Sequence, residues 1–214
     1  MSNLHLPYAY AATQLSFYAS YHSNKTNQMI HFFCIPQILW FVVAYNLTWL
    51  IVAAHVTLPD AKLFTLTWGL AFQPSLALAF ITSYMTYYTL LDPIGGVTYI
   101  PVGSLLYLTA TYLATSPPSW LPLTSPVEPS AIPFALAIHG LAWIAQFIGH
   151  GVFEHRAPAL LDNLVQALVL APFFVHLEAL FALFNYKPDL HKKIKARAGL
   201  RISEMNRQKS HKAE

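Results

Sequence analysis

Four of the ten histidines sit among other polar residues, in two clusters far apart in the chain. The first reads Tyr21-His22-Ser23-Asn24-Lys25-Thr26-Asn27-Gln28-Met29-Ile30-His31. The second runs from Gln146 through Gly149-His150-Gly151-Val152-Phe153-Glu154-His155-Arg156 to Asp162 and Asn163. Neutral imidazole suits iron, zinc, copper and nickel. Three convergent histidines, or two with a carboxylate, leave positions open for Fe(II) and O2. Ionisable groups in apolar surroundings are costly to bury without a partner, which makes them functional candidates.

Spacing limits how these groups meet. On one unbroken helix His22 and His31 would lie about 180° apart. They share a site only if Ser23 to Asn27, a run of turn formers, interrupts the helix. His150 and Glu154, at i and i+4, share a helix face, whereas His155 is turned about 140° from His150. H-E-x-x-H, G-x-S-x-G and paired H-x-x-H-H boxes are all missing from the sequence, so zincin, serine-hydrolase and di-iron hydroxylase chemistries lose their motifs. Spacing alone leaves open both a metal site and a set of structural hydrogen bonds.

The remaining histidines read more plainly. His5, His191 and His211 stand in polar flanks as solvated surface groups, and His55 closes an apolar stretch. His139 and His176 lie mid-stretch and read as satisfied interior histidines. The single cysteine, Cys34, rules out an internal disulfide and reads as a small core residue.

The elements that must position these groups are apolar. Of 214 residues 56% are hydrophobic and 10% charged, with a mean hydropathy of +0.44. Soluble domains carry about 25% charged residues, so a water-soluble surface is excluded. The expected fold is all-α: a polytopic membrane helix bundle of four to six spans forming one domain over residues 1–214. Five stretches approach the ~20 residues that cross a bilayer core: His31–Leu58, Leu66–Leu91, Gly95–Ala114, Ile132–Phe153 and Leu164–Phe184. Lipid leaves bare backbone groups unpaired, so each should be helical. Pro36, Pro74, Pro101 and Pro172 suggest kinks or breaks.

Asp92-Pro93 with Gly95-Gly96 marks a turn, and Ser116–Pro133, with six prolines, a surface loop. Tyr8–Tyr21 is amphipathic, suited to the interface or to packing on the bundle. Met1–Thr13 lacks the basic and apolar pattern of a cleavable signal peptide. Residues 187–214 hold nine of the twelve Lys/Arg against three acids, a balance of +6. Such a tail after an apolar helix reads as cytoplasmic and suited to anionic headgroups. Nucleic-acid binding does not fit the membrane setting.

At the two polar clusters the chain resembles the endoplasmic-reticulum 2-hydroxy fatty acid dioxygenases of fungi and bacteria. The first carrying motif is Phe17-Tyr18-x-x-Tyr21-His22-x-Asn24-x-x-Asn27-x-x-Ile30-His31 with Pro36. The second is Gly149-His150-Gly151-Val152-Phe153-Glu154-x-Arg156-x-Pro158-Ala159-Leu160. Asp162-Asn163-Leu164, Ala171-Pro172-Phe173 and Glu178 extend the match, which runs from Gln14 to about Phe184.

The resemblance implies Fe2+- and O2-dependent α-oxidation of long-chain 2-hydroxy fatty acids to acids one carbon shorter, in phytosphingosine breakdown at the endoplasmic reticulum membrane. It implies His22, His31 and His150 as metal ligands. Glu154, Arg156 and Asn27 join them in the catalytic machinery. Glu154 would orient a ligand or enter the metal's shell. Arg156 would pair with the substrate carboxylate, or with Asp162 or lipid phosphate. Asn27 and Gln28 would supply supporting hydrogen bonds. Tyr18 and Tyr21 read as interface anchors, and Glu178 as a buried acid meeting a polar partner such as a site histidine. His155 and His176 are not expected to be fixed as histidine in the family. The competing readings are another metal-dependent lipid enzyme and a transporter or scaffold.

Overall fold

A computed structural model describes residues 5–35, 64–67, 70–72, 75–127, 129–155 and 164–213. Within these the chain is overwhelmingly helical. The elements are α1 (His5–Ala19), α2 (25–35), a two-stranded antiparallel ribbon of β1 (Phe64–Thr67) and β2 (Leu70–Phe72), α3 (Leu76–Leu91), α4 (Pro93–Thr115), α5 (Ile132–Ile148), α6 (Leu164–Phe184) and α7 (Pro188–Ala213).

The chain breaks between α1 and α2 for local reasons. The amides of Tyr21 and His22 bond back only three residues, to Tyr18 O and Ala19 O, the tight pattern in which α-helices end. Asn24 Oδ1 then accepts from the amides of Thr26 (2.8 Å) and Asn27 (3.4 Å). A side-chain acceptor there satisfies donors that the first turn of a helix leaves free, and so starts α2.

Asp92 alone separates α3 from α4. Its amide donates to Tyr88 O, closing α3, and its Oδ1 accepts from Gly95 N at 3.2 Å, opening α4. Pro93, at the start of α4, needs no amide partner. Gly96 lies so close to α3 that a Cβ would collide with the backbone of Thr89. The same Asp92 carboxylate accepts from Tyr186 Oη (2.7 Å) and Lys187 Nζ (2.9 Å), tying this corner to the α6–α7 junction. At that junction Asn185 and Lys187 take left-handed conformations, φ 48° and 40°.

The main core joins α1, α3, α4, α6 and α7. Leu15, Tyr88, Phe173, Leu177, Leu190 and Ile194 are fully buried in it, each such side chain contributing about 1.5–3 kcal/mol. Tyr88 stacks on Phe173 at 4.5 Å and donates its hydroxyl to Val169 O. A smaller cluster centres on Ile81 and Tyr107 between α3 and α4.

Several expectations change. Two described helices, Pro93–Leu113 and Ile132–Glu154, are long and apolar enough to cross a membrane, and Val169–Phe184 is a shorter apolar helix. Four to six spans are therefore not established, and residues 36–58 of the first stretch lie outside the described residues. Leu66–Leu91 is not one helix. The alternation Phe64-Thr65-Leu66-Thr67, with β-branched threonines, favours a strand, and α3 supplies only 16 residues. Pro101 and Pro172 do not break α4 or α6; Pro36 and Pro74 lie outside the described residues. Of the two placements open to Tyr8–Tyr21, packing on the bundle is the one observed for Ala12, Leu15 and Tyr18, which lie in the core. The basic tail is the helix α7, whose Leu190, Ile194 and Ala198 recur every four residues and are buried against the bundle.

The outward faces of α4 and α5 are apolar. Ile94, Val97 and Leu105 on α4, with Leu136, Leu141 and Ile144 on α5, are all exposed. Exposed apolar faces of this kind mark contact with lipid or another apolar partner.

Candidate metal centre

Three histidine rings converge. His22 comes from the break after α1, His31 from α2 one turn before Ile35, and His150 from the turn that ends α5. Their centroids are 4.2 Å (His22–His31), 4.9 Å (His22–His150) and 4.9 Å (His31–His150) apart, all edge to face. All three are buried, at 3–4% exposure, and one ring nitrogen from each lies within 4.8 Å of the others. The break between α1 and α2 brings His22 and His31 together, as the spacing requires.

Backbone bonds set the tautomers. His22 Nδ1 lies 2.9 Å from Tyr18 O, and His31 Nδ1 lies 2.9 Å from Asn27 O. A carbonyl only accepts, so both Nδ1 atoms carry the proton and both Nε2 atoms keep a lone pair. His22 Nε2 and His150 Nδ1 are buried with no hydrogen-bond partner. Orphaned polar atoms of this kind are rare in folded proteins. Two of them in one cluster of neutral imidazoles fit a metal that completes their coordination. Burial, reinforced by the His31 and His150 rings, holds the His22 imidazole well below the ordinary histidine range, against the opposing bond to Tyr18. It is therefore neutral, the form that binds metal.

Residues 149–154 form a π-helical turn, closed by His155 in the left-handed region at φ 52°. Such turns recur at functional sites. This one buries both His150 and Glu154 while leaving His155 exposed. Gly149 is required: a Cβ there would collide with Asn27 Oδ1. Glu154 Oε2 accepts from Ser23 Oγ at 2.9 Å, and its Oε1 accepts from the amide of Asn24 and from Asn27 Nδ2 at 3.5 Å. The carboxylate thus clamps the turn that carries His22 to the turn that carries His150. Asn27 is wholly buried and also donates to Tyr21 O. Gln28 Nε2 donates to His22 O at 2.9 Å.

Tyr18 stacks on His22, with centroids 4.0 Å apart and planes 11° apart, and touches Phe174. It is buried rather than interfacial, as is Tyr21. The i, i+4 spacing of Tyr18 and His22 was the available signal for this stacking. Arg156, with Pro158, Asp162 and Asn163, lies outside the described residues. His139 Nε2 accepts from Trp143 Nε1, and His176 pairs with Thr98 Oγ1 at 2.9 Å, so each has a hydrogen-bond partner within the fold. His191 is not a free surface group but stacks on Phe181 at 4.3 Å. His55 lies outside the described residues.

Residues 8–183 match the family described as Mpo1-like, 2-hydroxy-palmitic acid dioxygenase Mpo1-like. The chain is 34% identical over 178 residues to the 2-hydroxy-palmitic acid dioxygenase MPO1 of Saccharomyces cerevisiae, an alignment covering 83% of each protein. No solved structure matches the chain.

Proposed function

This chain belongs to the Mpo1-like dioxygenase family, and from that premise we propose that it is an Fe2+-dependent dioxygenase of long-chain 2-hydroxy fatty acids, shortening them by one carbon with O2 as part of phytosphingosine and sphingolipid degradation. The observation that carries the proposal is the buried triad of His22, His31 and His150, with two ring nitrogens left without partners.

In this proposal His22 and His31 offer Nε2 to the metal, fixed in that tautomer by Tyr18 O and Asn27 O. His150 offers the third nitrogen. A bound Fe2+ supplies one-electron chemistry toward O2 and open positions for oxygen ligands. Glu154 and Asn27 hold the two histidine-bearing turns in register, a supporting role that tunes metal sites generally. Arg156 pairs with the substrate carboxylate in a two-pronged ion pair. The Tyr18 and Phe174 rings cover one side of the His22 imidazole and shield it from water.

The setting we propose is the endoplasmic reticulum membrane, crossed several times, with α7 on the cytoplasmic side. The exposed apolar faces of α4 and α5 and the +6 balance of residues 187–214 support it. The substrate then reaches the site with its tail still among lipids.

The test is metal analysis of the purified protein beside turnover of 2-hydroxyhexadecanoate. Iron bound to the protein, lost in His150→Ala together with pentadecanoate formation, is the expected result. Full turnover in the presence of EDTA by protein free of metal would overturn the proposal, and so would a strict requirement for zinc.

A further inference from the structure

Beside the histidine triad lies a cleft whose lining includes His22, His31 and Glu178. Tyr18, Phe32 and Phe174 form much of its apolar wall. It is open at its mouth, and its enclosed part is about 20 Å3, room for about one water molecule. A long-chain acid therefore brings at most its polar end to this mouth and leaves the tail outside. Phe32, at its edge, continues into an exposed apolar stripe on α2 with Met29 and Phe33, a surface on which an acyl tail can lie.

Glu178 is unusual within this cleft. It stands one turn beyond Phe174 on α6, half-buried in an apolar helix. Among the described residues its carboxylate makes no hydrogen bond or ion pair; Lys195 on α7 supplies a cationic attraction from beyond salt-bridge range. A half-buried carboxylate with no hydrogen-bond donor among the described residues has lone pairs available to a ligand that enters the cleft.

Resting on the function proposed above, we infer that Glu178 is a specificity-determining residue that accepts a hydrogen bond from the 2-hydroxyl of the substrate. An unsubstituted fatty acid and its 2-hydroxy counterpart share a tail and a carboxylate; only the latter brings a donor at C2. A carboxylate in the cleft repels the carboxylate common to both and attracts the hydroxyl. It thereby turns the hydroxyl toward Glu178 and the acid group away from it, and it penalises any acid that lacks the hydroxyl. Sites that hydrogen-bond a substrate hydroxyl reject the analogue lacking it because the buried acceptor is then left unpaired.

The experiment compares equilibrium binding of 2-hydroxyhexadecanoate and hexadecanoate to the full-length wild-type protein, Glu178→Gln and Glu178→Asp, with metal content measured alongside. Wild type is expected to prefer the hydroxy acid. Glu178→Gln should lose about tenfold or more of that preference, partly through tighter hexadecanoate binding, while retaining its metal; Glu178→Asp should keep part of the preference. An unchanged preference in either variant with metal retained overturns the inference. So does loss of metal from Glu178→Gln, which would make Glu178 a ligand. Wild type that discriminates the two acids but does not turn over the hydroxy acid would sink the proposed reaction and leave Glu178's role standing.

Discussion

Ser23 Oγ donates to Glu154 Oε2 at 2.9 Å, a bond between residues 131 apart in the chain. With the Asn24 amide on the other carboxylate oxygen, it fixes the distance between the turn bearing His22 and the turn bearing His150. Glu154→Gln keeps the shape but removes the charge that strengthens these bonds. Its metal affinity should fall about 10–100-fold, and turnover should recover in excess Fe2+ because the histidines remain. Titration of the metal-free variant checks this; wild-type affinity would show that Glu154 does not organise the site.

Gly149 packs directly against the Asn27 side chain. Asn27 is wholly buried and bonded to Tyr21 O and Glu154, so it has little room to yield. Gly149→Ala should therefore destabilise the protein by about 1–3 kcal/mol through overpacking and lower its metal content. Thermal unfolding in detergent reads the first effect and elemental analysis the second. A melting temperature and metal content equal to wild type would show that α2 and the π-turn separate freely.

How much of this was legible beforehand differs by element. The opposed positions of His22 and His31 on a continuous helix, set against the turn formers around Asn24, pointed to the break that brings them together. Asp92-Pro93 likewise announced the α3–α4 turn, because cap and proline preferences act within a few residues. Tertiary events were harder to read. The i, i+4 spacing of Tyr18 and His22 permits their stacking, but the burial of Tyr18 is decided only when Phe174 arrives from α6. The sparse stripe of Leu190, Ile194 and Ala198 was hidden by the basic residues around it. Glu154 shares a face with His150, but that its carboxylate reaches across to Ser23 and Asn24 depends on contacts over more than a hundred residues. Leu66–Leu91 misled because apolar content alone does not separate a strand from a helix.

Lys187 is the charged partner of Asp92, which is 3% exposed. Lys187→Met leaves that carboxylate with Tyr186 and Gly95 as donors but without a countercharge. Removing one partner of a buried pair costs about 3–5 kcal/mol. Lys187 is itself 32% exposed, which lowers the expectation to about 2 kcal/mol. Asp92→Asn combined with Lys187→Met should recover part of the loss, since no charge is then left buried. A double variant no more stable than Lys187→Met would place the cost in lost packing of the lysine stem rather than in the unpaired charge.

The buried, neutral state of His22 gives acid sensitivity a definite sign. In the unfolded chain its imidazole takes up a proton near pH 6.5, whereas burial and the His31 and His150 rings hold it well below that in the folded protein. Below pH 6.5 the unfolded state therefore binds the proton that the folded state refuses. The stability associated with His22 is fully present above that pH and is lost as pH falls, by up to about 1.4 kcal/mol per pH unit for one group. Thermal melts of the metal-free protein between pH 7.5 and 5 measure the slope, and His22→Asn, which cannot titrate, should reduce it by up to that amount. Equal slopes for the two proteins, or greater wild-type stability at pH 5, would mean that His22 is protonated in the folded chain and does not hold the lone pair that a metal requires.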